Sequence, residues 1–205
     1  MSAIALIDYG AGNLHSVHNA LKAAGAADVA VTADPELVRR ADRVVLPGVG
    51  AFKACMDGLT AIPGMIEAME ERVLGQGAPF LGVCVGMQLM AEHGVEHGTH
   101  QGMGWVPGSV ELLPATAAAR VPHMGWNDVI PVNGSSLVAP GEAYYLHSYA
   151  YTDVRSSAVR AVTRHGELEV VAAIQTGTAL GVQFHPEKSQ RYGIALVERF
   201  LAWRP

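Results

Sequence analysis

The chain has 205 residues, of which 50% are hydrophobic and 16% are charged, and its formal net charge is −5. That length is enough for a single domain with one buried core over residues 1–205. The net charge gives no basic surface for nucleic acid, and no apolar run is long enough to span a membrane. Only two cysteines occur, Cys55 and Cys84, so we expect no disulfide framework and a cytoplasmic location.

The first half of the chain alternates strand and helix signals. An apolar strand at 3–7 leads through a glycine-rich turn to an amphipathic helix over 14–21, which should end before Gly25. Further elements are strands at 29–32, 43–46 and 79–83 and a helix over 65–74. Short strands separated by helices predict a parallel sheet covered on both faces.

The second half is punctuated more often by turn signals. Between Ser109 and Val182, short apolar segments are separated by pairs such as Pro140-Gly141, and a final amphipathic helix covers 194–201. This pattern predicts an antiparallel or mixed addition to the parallel core. The predicted fold class is therefore α/β, with a mainly parallel central sheet flanked by helices and a mixed or antiparallel addition in the second half.

The pentapeptide at 82–86, Gly-Val-Cys-Val-Gly, has the pattern of a nucleophile elbow. In that motif a strand stops abruptly at the nucleophile and turns at once into a helix, so only small residues fit on either side. The turn places the Val85 N–H and a helix N-terminus beside Cys84, which favours a thiolate and a developing oxyanion. We predict that Cys84 is a catalytic nucleophile, whereas Cys55 is interpreted as a small buried hydrophobe.

His185 is the best candidate for the general base that a thiol nucleophile requires. A buried strand predicted over 179–184 ends at His185, and Pro186 should keep that residue extended and forbid a helix. Residues two apart in an extended chain point to the same side, so Glu187 can accept the Nδ1–H of His185 and leave Nε2 facing Cys84. The hypothesis is a Cys84–His185–Glu187 triad.

The segment 47–50, Pro-Gly-Val-Gly, supplies a third element. It follows the strand predicted at 43–46 and should lie at the same carboxyl edge of the sheet as Cys84, where such sheets bind ligands. Glycines let backbone N–H groups approach an oxyanion. We predict that Val49 and Gly50, together with Val85, form an oxyanion hole.

Five histidines in the middle of the chain receive no catalytic assignment from their spacing. Three have near-helical spacing, namely His93, His97 and His100. Because glycines at 94 and 98 interrupt any helix, a solvated loop is predicted there, and no metal site is predicted. The spacing of His123 and His147 indicates no role.

Two motifs carry a family resemblance: residues 82–88 (GVCVGMQ) and 185–189 (HPEKS) resemble the class I (triad) glutamine amidotransferases. Within that family the chain is similar to the glutaminase subunits of imidazole glycerol phosphate synthases. The narrower resemblance also rests on the segments 8–14, 47–52, 123–127 and 144–149, which occur in the family's order. Val85 stands where Leu is common, and we expect only a small packing change from it.

The resemblance implies a glutaminase reaction that needs no metal or organic cofactor. Cys84 would attack the side-chain amide of L-glutamine, release ammonia and form a glutamyl thioester that water hydrolyses to glutamate. The oxyanion segment would need a peptide rearrangement, coupled to a partner, before its N–H points correctly. The residues that match positions near the glutamine are Gln88, Glu96, His147, Ser148 and Tyr149.

The resemblance also implies a heterodimer with a separate (β/α)8-barrel cyclase subunit. That partner would use the ammonia on a phosphoribulosyl-formimino-carboxamide ribotide, in histidine biosynthesis. Its products would be imidazole glycerol phosphate and an aminoimidazole carboxamide ribotide. The positions that match the interface are Asn13, Tyr144 and Lys188.

Three alternatives remain at the level of sequence. The nearest is another triad glutaminase, serving pyridoxal phosphate, anthranilate or GMP synthesis, although Met87 stands where the last two types usually carry His. An autonomous cysteine hydrolase or peptidase would differ by its independence of any partner. A non-catalytic binding protein with a degenerate site would retain its function without the Cys84 thiol.

Overall fold

The computed structural model describes residues 3–152, 154 and 157–205, which form two β-sheets and flanking helices. The strands are β1 (Ala3–Ile7), β2 (Asp28–Thr32), β3 (Arg43–Gly48), β4 (Phe80–Cys84), β5 (Ala91–Val95), β6 (Thr99–Gln101), β7 (Val106–Leu112), β8 (His123–Pro131), β9 (Gly141–His147), β10 (Tyr149–Thr152), β11 (Val159–His165), β12 (Leu168–Thr176) and β13 (Ala179–Val182). The α-helices are α1 (Leu14–Ala23), α2 (Pro35–Arg40), α3 (Phe52–Thr60), α4 (Met65–Glu70), α5 (Val85–Gln88) and α6 (Gln190–Ala202).

The larger sheet has the strand order β2-β1-β3-β4-β13-β12-β11-β8-β9. Its first five strands are parallel, and β3 and β4 are buried along their whole length, as expected for strands covered on both faces. The register pairs Gly48 with Cys84, so the ends of β3 and β4 lie side by side. The α/β fold class with a mainly parallel core is therefore confirmed.

The remaining strands form the antiparallel part of the molecule. Strands β12, β11, β8 and β9 extend the large sheet beyond β13, and a smaller mixed sheet has the order β10-β7-β5-β6. The predicted addition is confirmed, but it begins at β5, earlier than the sequence indicated. The chain passes from the large sheet to the small one at Ser148, between β9 and β10.

The solvated loop predicted around His93, His97 and His100 is wrong, because β5 and β6 form a hairpin that contains His93 and His100. His97 lies at its turn, with a φ of 54°. Gly94 does not interrupt a helix but allows close packing, since a Cβ there would lie 2.6 Å from the Phe52 ring. Within the described ranges, no group of three His, Cys, Asp or Glu side chains is arranged to hold a metal ion.

The helices follow the sequence signals with small differences. Helix α1 begins after Asn13, whose side chain accepts the Ser16 N–H, and Gly25 adopts a φ of 94° just beyond its end. The helix predicted over 65–74 is α4 continued by a π turn at Glu71–Gly75. In the part of the chain that the structure describes, no helix has the length and apolar character needed to cross a membrane.

Candidate active site

Cys84 lies at a strained turn between β4 and α5, with a φ of 54° and a ψ of −111°. A Cβ on Gly86 would lie 1.9 Å from the Leu46 carbonyl oxygen, and one on Gly82 would lie 2.7 Å from the Gly86 carbonyl oxygen. Both glycines are therefore required by space, as the elbow motif demands. The helix that follows, α5, is a single turn.

His185 joins Cys84 to Glu187. Its Nδ1 lies 2.8 Å from the Glu187 Oε1, and its ring lines the same cavity as the Cys84 side chain. The expectation that Pro186 forbids any helix is wrong, because a 3-10 turn starts there and runs to Lys188. Proline fits the first position of a helical turn, where no N–H is needed, and His185 keeps its extended conformation.

The electrostatics of this group favour a protonated His185. Burial opposes the charge, but the hydrogen bonds to Cys84 and Glu187 and the charges of both residues outweigh it and raise the pKa of His185 to about 10. The Glu187 side chain is only 2% exposed, and its Oε2 has no partner among the described residues. An imidazolium beside a thiol favours the thiolate, which is the nucleophilic form.

Two buried side chains hold the segment 47–50 beside the elbow. The Tyr9 hydroxyl donates to the Pro47 carbonyl at 2.7 Å, and the Cys55 thiol donates to the Val49 carbonyl at 3.4 Å. Burial raises the pKa of the Cys55 thiol, so that cysteine is an unreactive packing residue that also anchors the backbone. Val49 and Gly50 are exposed at the end of β3, close to Cys84.

A cavity of about 160 Å³ opens at this edge of the sheet. Its lining contains Val49, Gly50, Cys84, Val85, Gln88, Glu96, Leu146, His147, Ser148, Tyr149, His185 and Lys188. The structure thus brings together the nucleophile, the base, the predicted oxyanion residues and the predicted glutamine contacts. Glu187 lies behind His185, outside the lining, and Lys188 borders the cavity although it was predicted only at an interface.

Two lining or supporting residues were missed by sequence reasoning. The Leu146 carbonyl lies 3.9 Å from the Cys84 Sγ, and nothing in the sequence indicates a backbone contact of this kind. Gln183 donates to the Cys84 Sγ at 3.8 Å and accepts from the Gln88 Nε2 at 3.1 Å. A glutamine inside the apolar run before His185 was the available signal for the second residue.

Of the predicted interface residues, only Lys188 lines the cavity. The Lys188 ammonium lies 5.9 Å from the centroid of the Tyr144 ring, and Asn13 caps α1, which packs against the turn 186–188. The Trp126 ring contacts Tyr144 edge-on at 6.1 Å and is 48% exposed, and Met124 on the same strand is 61% exposed. These apolar side chains were not assigned from the sequence.

Comparison with known proteins agrees with an active site of the glutamine amidotransferase type. The sequence family described as "Glutamine amidotransferase class-I" matches residues 5–202. The HisH subunit of imidazole glycerol phosphate synthase from Zymomonas mobilis is 55% identical, covering 100% of this chain and 97% of its own length. The HisH subunit from Caulobacter vibrioides is 46% identical over the full length of both chains.

Solved structures show the same fold at low sequence identity. A glutamine amidotransferase crystal structure superposes with a TM-score of 0.74 at 18% identity, covering 97% of both chains. The glutaminase domain of the Trypanosoma brucei enzyme CTPS superposes with a TM-score of 0.69 at 19% identity, covering 98% of this chain and 93% of its own. The chain belongs to the class I glutamine amidotransferase family and, within it, to the HisH subunits of imidazole glycerol phosphate synthase.

Proposed function

We propose that this chain, as one domain over residues 1–205, is the glutaminase subunit of imidazole glycerol phosphate synthase in histidine biosynthesis. It would hydrolyse L-glutamine to glutamate and ammonia at Cys84 and deliver the ammonia to a (β/α)8-barrel cyclase subunit. The observation that carries the proposal is that Cys84 and His185, the latter hydrogen-bonded to Glu187, line one cavity together with the predicted glutamine contacts.

In the first half-reaction the Cys84 thiolate attacks the side-chain carbonyl carbon of glutamine, and the C=O electron pair moves onto the oxygen. The Val85 N–H and a backbone N–H of Val49 or Gly50 stabilise that oxyanion. His185 then gives its Nε2 proton to the amide nitrogen as the C–N bond breaks, which releases ammonia and leaves a γ-glutamyl thioester.

In the second half-reaction the now neutral His185 takes a proton from water, and the resulting hydroxide attacks the thioester carbonyl. Collapse of the tetrahedral intermediate breaks the C–S bond, releases glutamate and restores the Cys84 thiolate beside an imidazolium. Glu187 keeps the Nδ1–H of His185 in place through both steps, so Nε2 always faces the reacting atoms.

The cyclase would bind over the face that carries Trp126, Tyr144 and Lys188. That face borders the cavity at Lys188, and its aromatic side chains, Trp126 and Tyr144, belong to residue types that are enriched at interface centres. Ammonia released at Cys84 would then have a short path into the partner. A cytoplasmic location fits the two unpaired thiols, Cys55 and Cys84.

The test is glutamine hydrolysis by the purified chain with and without the barrel cyclase and its ribotide ligand. We expect little turnover by the isolated chain and a large stimulation by the ligand-bound partner. Substantial hydrolysis by the isolated chain that the cyclase leaves unchanged would contradict the proposal and favour an autonomous hydrolase.

A further inference from the structure

A chain of hydrogen bonds runs from strand β8 to the wall of the cavity. The Asn127 Nδ2 lies 3.0 Å from the His123 Nε2, and the His123 Nδ1 lies 3.0 Å from the His147 Nε2. The His147 Nδ1 lies 2.9 Å from the Tyr149 carbonyl oxygen. We call these groups, from Asn127 to the Tyr149 carbonyl, the histidine chain.

The direction of every hydrogen bond in the histidine chain is fixed from both ends. The Asn127 Oδ1 accepts the Asp128 N–H at 2.8 Å, so its Nδ2 must be the group that faces His123 and donates to it. At the other end the Tyr149 carbonyl can only accept, so the His147 Nδ1 carries a proton. Both requirements are met when each imidazole is neutral, protonated at Nδ1 and accepting at Nε2.

The surroundings keep both rings neutral and in place. The His123 ring is stacked between Tyr145, at a centroid distance of 4.7 Å, and His165, at 4.3 Å. Burial, with the charge of His165 as a smaller cause, lowers the pKa of His123 to about 4. Burial also lowers the pKa of His147 to about 3, and the nearby His123, His165 and His185 act in the same direction.

The histidine chain ends at the Tyr149 carbonyl, within a segment that lines the cavity. The Tyr149 carbonyl receives a second hydrogen bond at 2.9 Å from the Gln88 Nε2, which itself bonds Gln183. His147, Ser148 and Tyr149 all line the cavity, at the point where the chain leaves the large sheet for the small one. The orientation of this crossing is therefore tied to the protonation of His123 and His147.

We propose that His123, His147 and Asn127 are positioning residues that hold the 147–149 segment in the geometry that binds glutamine. The inference rests on the proposed function, because it assigns the segment to glutamine binding. The histidine chain ends at the Tyr149 carbonyl and reaches Cys84 only through Gln88 and Gln183. Breaking it therefore raises the KM for glutamine much more than it lowers kcat.

The substitution Asn127→Asp tests the polarity of the chain. A carboxylate only accepts, so the His123 Nε2 must donate, and in neutral rings the reversal leaves the unprotonated Nδ1 of His147 facing the Tyr149 carbonyl. We expect the KM for glutamine to rise about ten-fold or more in the cyclase-stimulated assay, with kcat within about three-fold of the wild type.

The matched control is Asn19→Asp, because the Asn19 Nδ2 also contacts a histidine Nε2, that of His15 on the exposed side of α1, at 3.1 Å. This variant should keep the wild-type KM. His123→Leu should raise the KM like Asn127→Asp, and His123→Gln, which can both accept and donate, should restore part of the loss.

A second measurement requires no variant to fold. In ¹⁵N-histidine NMR spectra of the full chain, His123 and His147 should be neutral Nδ1–H tautomers that do not titrate between pH 5 and 8, while His165 and His185, the titratable rings that face them, are followed as separate signals. An Nε2–H tautomer at either ring, titration of either near pH 6.5, or an unchanged KM in an active Asn127→Asp complex would overturn the inference. Failure of the proposed function would appear instead as a wild-type complex that does not hydrolyse glutamine.

Discussion

The parallel and antiparallel halves of the large sheet contribute to the cavity in different ways. The parallel strands β3, β4 and β13 end in the segments that carry the nucleophile, the base and the predicted oxyanion backbone. The antiparallel strand β9 leads instead into residues 146–149, which line another part of the cavity. We propose that the parallel half carries out the chemistry and the antiparallel half holds the substrate, so substitutions in the two halves should change different kinetic constants.

The largest effect is expected from Cys84→Ala in the parallel half. Removal of the nucleophile should lower cyclase-stimulated glutamine hydrolysis by at least about 10³-fold, because no other group can form the thioester. Binding of the cyclase, measured by calorimetry, should persist and serves as the control. Retained stimulated hydrolysis in this variant would place the chemistry elsewhere.

The second effect concerns the steric basis of the elbow. In Gly86→Ala the new Cβ would overlap the Leu46 carbonyl oxygen, so we expect a loss of about 3 kcal/mol or more in the free energy of unfolding, measured in urea. Gly75→Ala is the matched control, since its Cβ would lie 3.8 Å from the nearest neighbouring atom and its φ is not positive. Equal stability of the two variants would argue against the tight turn at Cys84.

The third effect is expected when His185 is kept but the carboxylate that orients it is removed. Glu187→Gln removes the charge that favours the imidazolium and weakens the hold on Nδ1, so kcat should fall by about 10²-fold with little change in the KM for glutamine. The contrast with Asn127→Asp, which should raise the KM, is what distinguishes the two halves. A Glu187→Gln variant that changes only the KM would contradict the distinction.

The His185–Glu187 pair also predicts how the stability of the folded chain depends on pH. The pKa of His185 is raised to about 10 in the folded chain, above its ordinary value of 6.5. The contribution of His185 to the free energy of unfolding is therefore fully present below about pH 6.5 and is lost as the pH rises through 10. Urea unfolding between pH 6 and 10 should show stability falling more steeply in the wild type than in Glu187→Gln, and parallel curves would count against the raised pKa.

The smallest effect is expected at the partner surface. Trp126→Ala should weaken binding of the cyclase by about 2 kcal/mol, the size of a typical interface hot spot, while the unfolding free energy stays nearly unchanged because the side chain is half exposed. Leu112→Ala on β7 is the control, since that side chain is 58% exposed and lies in the small sheet. Equal losses of binding would mean that the surface is not specific.

The difference between the halves also explains what the sequence could predict. The elbow could be predicted from the sequence because only glycine fits at positions 82 and 86. The hydrogen bond from His185 to Glu187 could be predicted because the two residues are close in sequence. Leu146 and the histidine chain could not be read in this way. They depend on the pairing of β8 with β9, which places His123 opposite His147 across 24 residues.

Two errors in the sequence-based predictions, at Gly94 and Pro186, have the same origin, namely contacts between residues that are far apart in sequence. Gly94 looked like a helix breaker, but its role is to let β5 pass over the Phe52 ring, a contact that spacing does not reveal. Pro186 was expected to forbid a helix, yet a 3-10 turn begins there and is held by one local and one tertiary hydrogen bond. The Ser189 hydroxyl donates to the His185 carbonyl at 2.6 Å and accepts the Tyr144 N–H at 2.9 Å.

The most direct test of the central claim is to trap the covalent intermediate. The cyclase-bound chain would be mixed with glutamine, quenched in acid within the first turnovers and mapped by peptide mass spectrometry. The predicted result is a γ-glutamyl adduct on the peptide that contains Cys84, with Cys55 unmodified. An adduct on Cys55, or steady hydrolysis without any adduct on Cys84 in wild-type and Glu187→Gln complexes alike, would contradict the account.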